Sequence, residues 1–169
     1  MKPQRQSLKL VFQNKKITAL GGIYRKGADN MIKLIIGNKG SGKTKKLIDM
    51  VNTTAAESNG SVVCVELGDT LTFNISHKVR LIDVKEYSIS GYGEYYALLS
   101  GICAGNHDVT HVFGDATLRI GGRNYEELAD FLEEIYELAS VNEKNFVFTI
   151  SADKEELPAS IFNFCTVLE

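Results

Sequence analysis

The sequence predicts an α/β fold with three layers, α/β/α, built on a mostly parallel central sheet of about five or six strands. Two observations predict it. From residue 31 onward, short apolar β-branched runs alternate with stretches whose apolar residues recur at helical spacing. The first of those strands also leads directly into a glycine-rich loop, GNKGSGKT at residues 37–44, and the loop into a helix. Strands alternating with helices in this way are covered on both faces, the setting a parallel sheet requires.

The elements follow in order. Met31–Ile36 is a short buried strand, and after the loop Thr44, Leu47, Ile48 and Val51 form a helical stripe between polar Lys45, Lys46 and Asp49. Ser61–Glu66 is a second strand and Val79–Asp83 a shorter third. Tyr92–Cys103 reads as a helix through Tyr95, Leu98, Leu99 and Ile102, and Asp108–Asp115 as the fourth strand. Tyr125–Ser140 is a helix with Asn124 as N-cap, Glu127 three residues on, and a stripe of Leu128, Phe131, Leu132, Ile135 and Leu138. Its acidic side (Glu126, Asp130, Glu133, Glu134, Glu137) reads as a solvated surface. Asn145–Ile150 is the fifth strand and Phe162–Val167 the sixth.

The loop fits G-x-x-x-x-G-K-[ST], with Gly37, Gly42, Lys43 and Thr44 at the defining positions and a further glycine at Gly40. Glycines accept positive φ and leave backbone N–H groups free to converge on phosphate oxygens. Lysine supplies a point charge for the β- and γ-phosphates, the threonine hydroxyl a Mg²⁺ ligand, and the following helix its positive N-terminal end. Strand, loop and helix in that order identify a phosphate-binding loop, the P-loop, spanning Gly37, Asn38, Lys39, Gly40, Ser41, Gly42, Lys43, Thr44 and Lys45. The expected ligands are ATP and Mg²⁺. No N-K-x-D segment marks guanine specificity.

Composition narrows the rest. At 169 residues, 44% hydrophobic and 24% charged, one domain over residues 31–169 is expected, with no membrane span and no signal peptide. Cys64, Cys103 and Cys165 lie among apolar neighbours without a C-x-x-C pair, the pattern of free thiols in a reducing cytoplasm rather than a zinc site. Residues 1–30 hold seven Lys/Arg and one Asp, whereas residues 31–169 hold 12 Lys/Arg and 20 Asp/Glu. The acidic balance of the second part argues against broad nucleic-acid binding. Two readings stand for the basic first thirty residues: an over-extended gene start, with Met31 the natural first residue, or an arm that touches a partner or an anionic surface.

Ligands of open α/β sheets bind at the carboxyl ends of the strands. His111–Asp115 ends its strand in an aspartate, as a Walker B segment does, so Asp115 is the expected second Mg²⁺ group opposite Thr44. Gly114 stands where an apolar residue is usual, and Ala116 where many ATP-hydrolysing P-loop proteins have a water-aligning glutamate. Glu66, ending the second strand 23 residues after Lys43, is a substitute. In this the chain resembles the RecA-like (ASCE) branch of P-loop NTPases, whose recombinases carry a catalytic glutamate at the end of that strand. The resemblance implies Lys43 and Thr44 as phosphate and Mg²⁺ ligands, Asp115 as the Walker B acid, Glu66 as the catalytic base and Thr149 or Ser151 as the sensor of γ-phosphate. The same region is similar to the thymidine-kinase family, without that family's Asp-Glu pair and zinc cysteines.

Thr117–Asn124 places Arg119 and Arg123 around a Gly-Gly pair, which reads either as surface arginines beside a flexible turn or as a mobile loop whose arginines stabilise transferred charge. Tyr92, Tyr95 and Tyr96 read as helix-packing residues, with base stacking as the alternative. Three functions follow as expectations: a slow Mg²⁺-dependent ATPase coupled to a protein partner or to copies of itself, a nucleoside or small-metabolite kinase with an acceptor pocket along Ser88–Tyr96, or a non-hydrolysing nucleotide sensor.

Overall fold

Strand β1 (Ile32–Ile36) sends Ile32 and Leu34 into one apolar cluster and Ile35 into another, and every long strand repeats this division. β2 (Ser61–Glu66) divides Val63 and Val65 from Val62 and Cys64. β4 (Val109–Gly114) divides Val112 from Phe113, and β5 (Asn145–Ile150) divides Phe146 and Phe148 from Val147. With the short β3 (Arg80–Asp83) and β6 (Cys165–Val167) these form one six-stranded sheet of order β3-β2-β4-β5-β1-β6. All five pairings are parallel, so the predicted three-layer α/β class holds. The computed structural model describes residues 31–168. Both readings of residues 1–30 lie outside the described residues.

Among the described residues, four α-helices cover the sheet. α1 (Lys43–Glu57) buries Leu47 and Val51 on one face, joined there by Leu71 and Val79 of the β2–β3 connection. α2 (Tyr92–Gly105), the short α3 (Thr117–Gly121) and α4 (Tyr125–Asn142) cover the other. That second layer is held by aromatic packing: the Phe131 ring stacks 5.2 Å from Tyr95 and meets Phe148 edge-on at 5.7 Å. Truncating such a side chain costs about 3–5 kcal/mol. α4 begins as its sequence predicts. Asn124 accepts hydrogen bonds from the N–H groups of Glu126 and Glu127 at 3.1 and 3.3 Å and donates to the Glu127 carboxylate at 3.0 Å.

One expectation changes and one holds. The sixth strand starts at Cys165 rather than Phe162, because Pro158 opens a 3-10 turn over Ala159–Asn163 that buries Ile161 instead. The tyrosines of α2 belong to the core: Tyr92 and Tyr95 are buried, and both pack on Phe131. Among the described residues no helix is long and apolar enough to cross a membrane. All three cysteines are free and buried.

One topological feature sets the position of the site. The chain leaves β1 for α1 on one face, whereas after β5 it buries Ala152, Leu157 and Ile161 on the opposite face. Neighbouring parallel strands whose connections diverge in this way open a crevice at their carboxyl ends. β5 also separates β1 from β4, a separation of two strand spacings, about 10 Å.

Candidate phosphate-binding site

The loop at residues 37–44 occupies that crevice. Gly40 and Gly42 take φ of +85° and +87°, the left-handed region that favours glycine, and the Ser41 N–H turns back to Asn38 O at 3.1 Å. Gly42 is the N-cap of α1 and no side chain caps the helix, so its first N–H groups face the crevice without a partner from the helix itself. Lys43 is buried to 9% exposure and reaches back over the loop, with Nζ donating to Asn38 O at 2.8 Å. Burial pulls its pKa below the ordinary lysine value, against the opposing pull of Asp115.

Asp115 follows β4 and faces Thr44. Thr44 Oγ1 lies 3.3 and 3.4 Å from the two carboxylate oxygens, longer than a full-strength O–H···O bond. The two oxygen donors converge without being committed to each other. They fit Mg²⁺, a hard cation that takes only one or two protein ligands and fills the rest of its shell with phosphate and water. Among the described residues no cluster of three or more His, Cys, Asp and Glu side chains offers an alternative metal site.

Thr149, one strand away, is the partner to which Asp115 is committed. Its hydroxyl donates to Asp115 Oδ1 at 2.6 Å and accepts from Ala116 N at 3.0 Å. With its single proton used in this way, Thr149 braces the carboxylate, and Ser151 lies beside it on the wall of the cavity.

That cavity has a volume of about 770 Å³. Lys39, Lys43, Lys45, Arg119 and Arg123 line it, with Asp115 the one carboxylate among its lining residues. Such an imbalance raises the local concentration of polyanions.

Arg119 lies on a short helix rather than in the loop that the Gly-Gly pair suggests, and Arg123 follows two residues after its end. Thr117–Gly121 is the helix α3, with Thr117, Leu118 and Ile120 buried. It is tied to the start of α2 by Gly91 N donating to Ile120 O at 2.8 Å and by Tyr92 Oη donating to Gly122 O at 2.7 Å. Gly121 lies so close to the Tyr92 ring that a Cβ there would overlap it. Close packing, not mobility, explains this glycine.

Glu66 ends β2 one position beyond the Val65–Gly114 pair, level with Asp115. Its side chain is on the α1 face, like that of Cys64 two residues earlier, but it is 1% exposed and does not line the cavity. Its carboxylate accepts from Leu71 N at 2.9 Å and Thr70 Oγ1 at 3.2 Å. Burial raises its pKa above the ordinary carboxylate value, only partly opposed by these bonds.

Two features escape the sequence reading. Asn38 Nδ2 donates to Asp153 Oδ1 at 2.6 Å, tying the loop to the segment after β5. Gly114, which departs from the usual Walker B residue, is required by packing: a Cβ there would overlap Tyr95 Oη and lie 2.6 Å from Phe148 Cδ1. The cue for the second was the Tyr95 position on a helix facing β4; nothing in the sequence marks the first.

No protein-family profile matches the chain, and no curated protein sequence matches it significantly.

Proposed function

We propose that the chain binds ATP with Mg²⁺ at residues 37–45 and hydrolyses it slowly, coupled to a protein partner or to a second copy of itself. One observation carries this reading: uncapped helix amides, Lys43, Thr44 and a braced Asp115 converge on a single cation-rich cavity. Lys43 and the loop amides hold the β- and γ-phosphates, and Thr44 and Asp115 hold the metal. Mg²⁺ supplies charge neutralisation as the γ-phosphate is transferred. Arg119 and Arg123 add positive charge from the α3 side. The RecA-like resemblance belongs to the same reading, as does a cytoplasmic location, which free buried thiols favour.

Glu66 is the general base of this proposal. It stands level with Asp115, and burial raises its pKa, the direction that makes a carboxylate a better proton acceptor. The attacking water forms the new P–O bond, its proton passes to Glu66, and ADP leaves with the bridging oxygen. For this the carboxylate must exchange its bonds from Thr70 and Leu71 for one to the water and move into the cavity, which it does not line in this structure. The exchange makes turnover slow in isolation and gives a partner something to accelerate.

The same bonds favour a second reading, a sensor that binds ATP without turning it over. The kinase alternative has less support: Tyr92 and Tyr95 of the expected acceptor segment are core residues, and no residue of 88–96 lines the cavity.

The test is Mg²⁺-dependent phosphate release from ATP and GTP by the full chain, Glu66→Gln and Lys43→Ala. Turnover lost in both variants, with ATP binding kept in Glu66→Gln alone, supports the ATPase. Tight ATP binding without turnover in the unmutated chain selects the sensor. Transfer to an added nucleoside selects the kinase.

A further inference from the structure

Glu66 is tied to a stretch of chain outside the phosphate cavity. The Leu71 N–H donates to its Oε2 at 2.9 Å, and Thr70 Oγ1 donates to the same oxygen at 3.2 Å. Leu71 is 1% exposed and shares an apolar cluster with Leu47 and Val51 of α1. Its carbonyl oxygen accepts from Asn74 N at 2.8 Å and Ile75 N at 3.1 Å, which closes residues 71–75 into a tight turn. In the middle of that turn Phe73 is 97% exposed.

The turn has two anchors of different kinds. On its far side Asn52 of α1 donates to Asn74 O and accepts from Ser76 N, both at 2.8 Å. On its near side the polar anchor is Glu66. From residue 69 to residue 74 Leu71 is the one buried residue, and Gly68, with a φ of +103°, joins the stretch to β2 in a conformation that glycine takes without strain.

The carboxylate cannot serve the turn and the cavity together. If it moves to the cavity, the Leu71 N–H loses its acceptor, and a buried N–H without one is costly. Asp69 and Thr70 are already exposed, so water replaces the carboxylate once this stretch swings away from β2. The Asn52 anchor is untouched by that movement. A triphosphate and a diphosphate differ in what they offer Glu66, because only the γ-phosphate holds a water for it to accept a proton from.

We propose that Glu66 and residues 70–74 form a two-position switch set by the γ-phosphate. In the position of this structure Glu66 holds Leu71 and is withheld from the cavity. With a magnesium triphosphate on the loop Glu66 enters the cavity, and the turn that carries Phe73 is released from β2 while it stays hinged at Gly68 and Asn52. The inference rests on the reading of residues 37–45 as the ATP site with Glu66 as its base, and it adds a surface element that follows the state of that site.

Amide hydrogen exchange of the full chain, resolved by residue, tests the switch. It is read without nucleotide, with MgADP, and with Mg²⁺ and the imido analogue of ATP, which keeps its γ-phosphate. The Leu71 amide is expected to exchange about tenfold faster or more with the analogue than in the other two conditions, whereas the Ser76 amide stays within twofold. Glu66→Gln keeps an oxygen for Leu71 but not the basic charge, so its Leu71 amide is expected to stay slow in all three conditions. A Leu71 amide unchanged in a chain that binds the analogue, an equal response to MgADP, or a response kept by Glu66→Gln overturns the switch and leaves the loop reading standing. If calorimetry shows that the unmutated chain binds neither nucleotide, the loop reading falls and takes this inference with it.

Discussion

Thr149 holds Asp115. The residue is 3% exposed, and its hydroxyl donates a 2.6 Å hydrogen bond to the carboxylate and accepts one from the N–H of Ala116, which has a φ of +55°. One side chain on β5 therefore fixes both the acid that faces Thr44 and the left-handed residue that turns the chain into α3.

If Asp115 holds Mg²⁺ as proposed, Thr149→Val is expected to lower the Mg²⁺-dependent part of ATP affinity by about 10–100-fold, the usual cost of removing a group that orients a metal ligand. Thr149→Ser, which keeps the hydroxyl, restores it. The comparison is ATP affinity with Mg²⁺ and with EDTA for all three proteins. A loss of the same size under both conditions would show that Thr149 acts on the phosphates or the fold rather than through Asp115.

Glu66 predicts a pH dependence of stability. Its folded pKa lies above the 4.5 of an ordinary glutamate because burial disfavours the charge. The folded state therefore binds this proton more tightly than the unfolded state. The resulting stability is fully present below pH 4.5 and is lost as pH rises through the folded pKa. Glu66→Gln keeps an oxygen for Leu71 N and Thr70 Oγ1 and has no charge to bury. Urea denaturation from pH 4 to 8 is expected to show the variant gaining on the unmutated protein as pH rises. A constant difference across that range would mean that Glu66 does not titrate differently on folding.

The Gly114–Tyr95 contact gives two opposite stability changes. Tyr95 Oη is buried without a hydrogen-bond partner, so Tyr95→Phe is expected to stabilise the protein by about 1 kcal/mol. Gly114→Val, which restores the usual Walker B residue, drives side-chain atoms into Tyr95 and Phe148 and is expected to cost about 3 kcal/mol. Denaturation midpoints of the two variants measure both.

These residues also show what the sequence makes legible. The strands and helices are carried by local patterns: two-residue alternation in β5, the stripe on α4, Asn124 with Glu127 at its start. The loop's conformation is legible for the same reason, since it depends on residues adjacent in the chain. Relationships across the sheet are not. Thr149 and Asp115 are 34 residues apart and Asn38 and Asp153 are 115 apart, and both pairs meet only because β5 inserts between β1 and β4. Strand order is a tertiary choice that alternation of strands and helices does not encode. Gly121 and Gly122 mislead in the other direction, because an exposed flexible turn and a glycine packed under Tyr92 look alike in one dimension.

That packing makes the last prediction. If α3 is the platform that delivers Arg119 and Arg123, its position matters as much as their charge. Arg119→Ala and Arg123→Ala are each expected to weaken triphosphate binding about three- to tenfold, an effect that shrinks with added salt because both side chains are exposed. Gly121→Ala removes no charge, but its Cβ overlaps the Tyr92 ring and displaces α3 from α2. It is expected to reproduce the loss, while Gly121→Ala combined with Tyr92→Leu, which removes the ring, recovers affinity at least in part. Triphosphate titrations of the four variants at low and high salt measure this. Affinity undisturbed by Gly121→Ala, alongside a clear loss in the arginine variants, would show that the arginines reach the phosphates by their own flexibility and that the Tyr92 anchor serves only the fold.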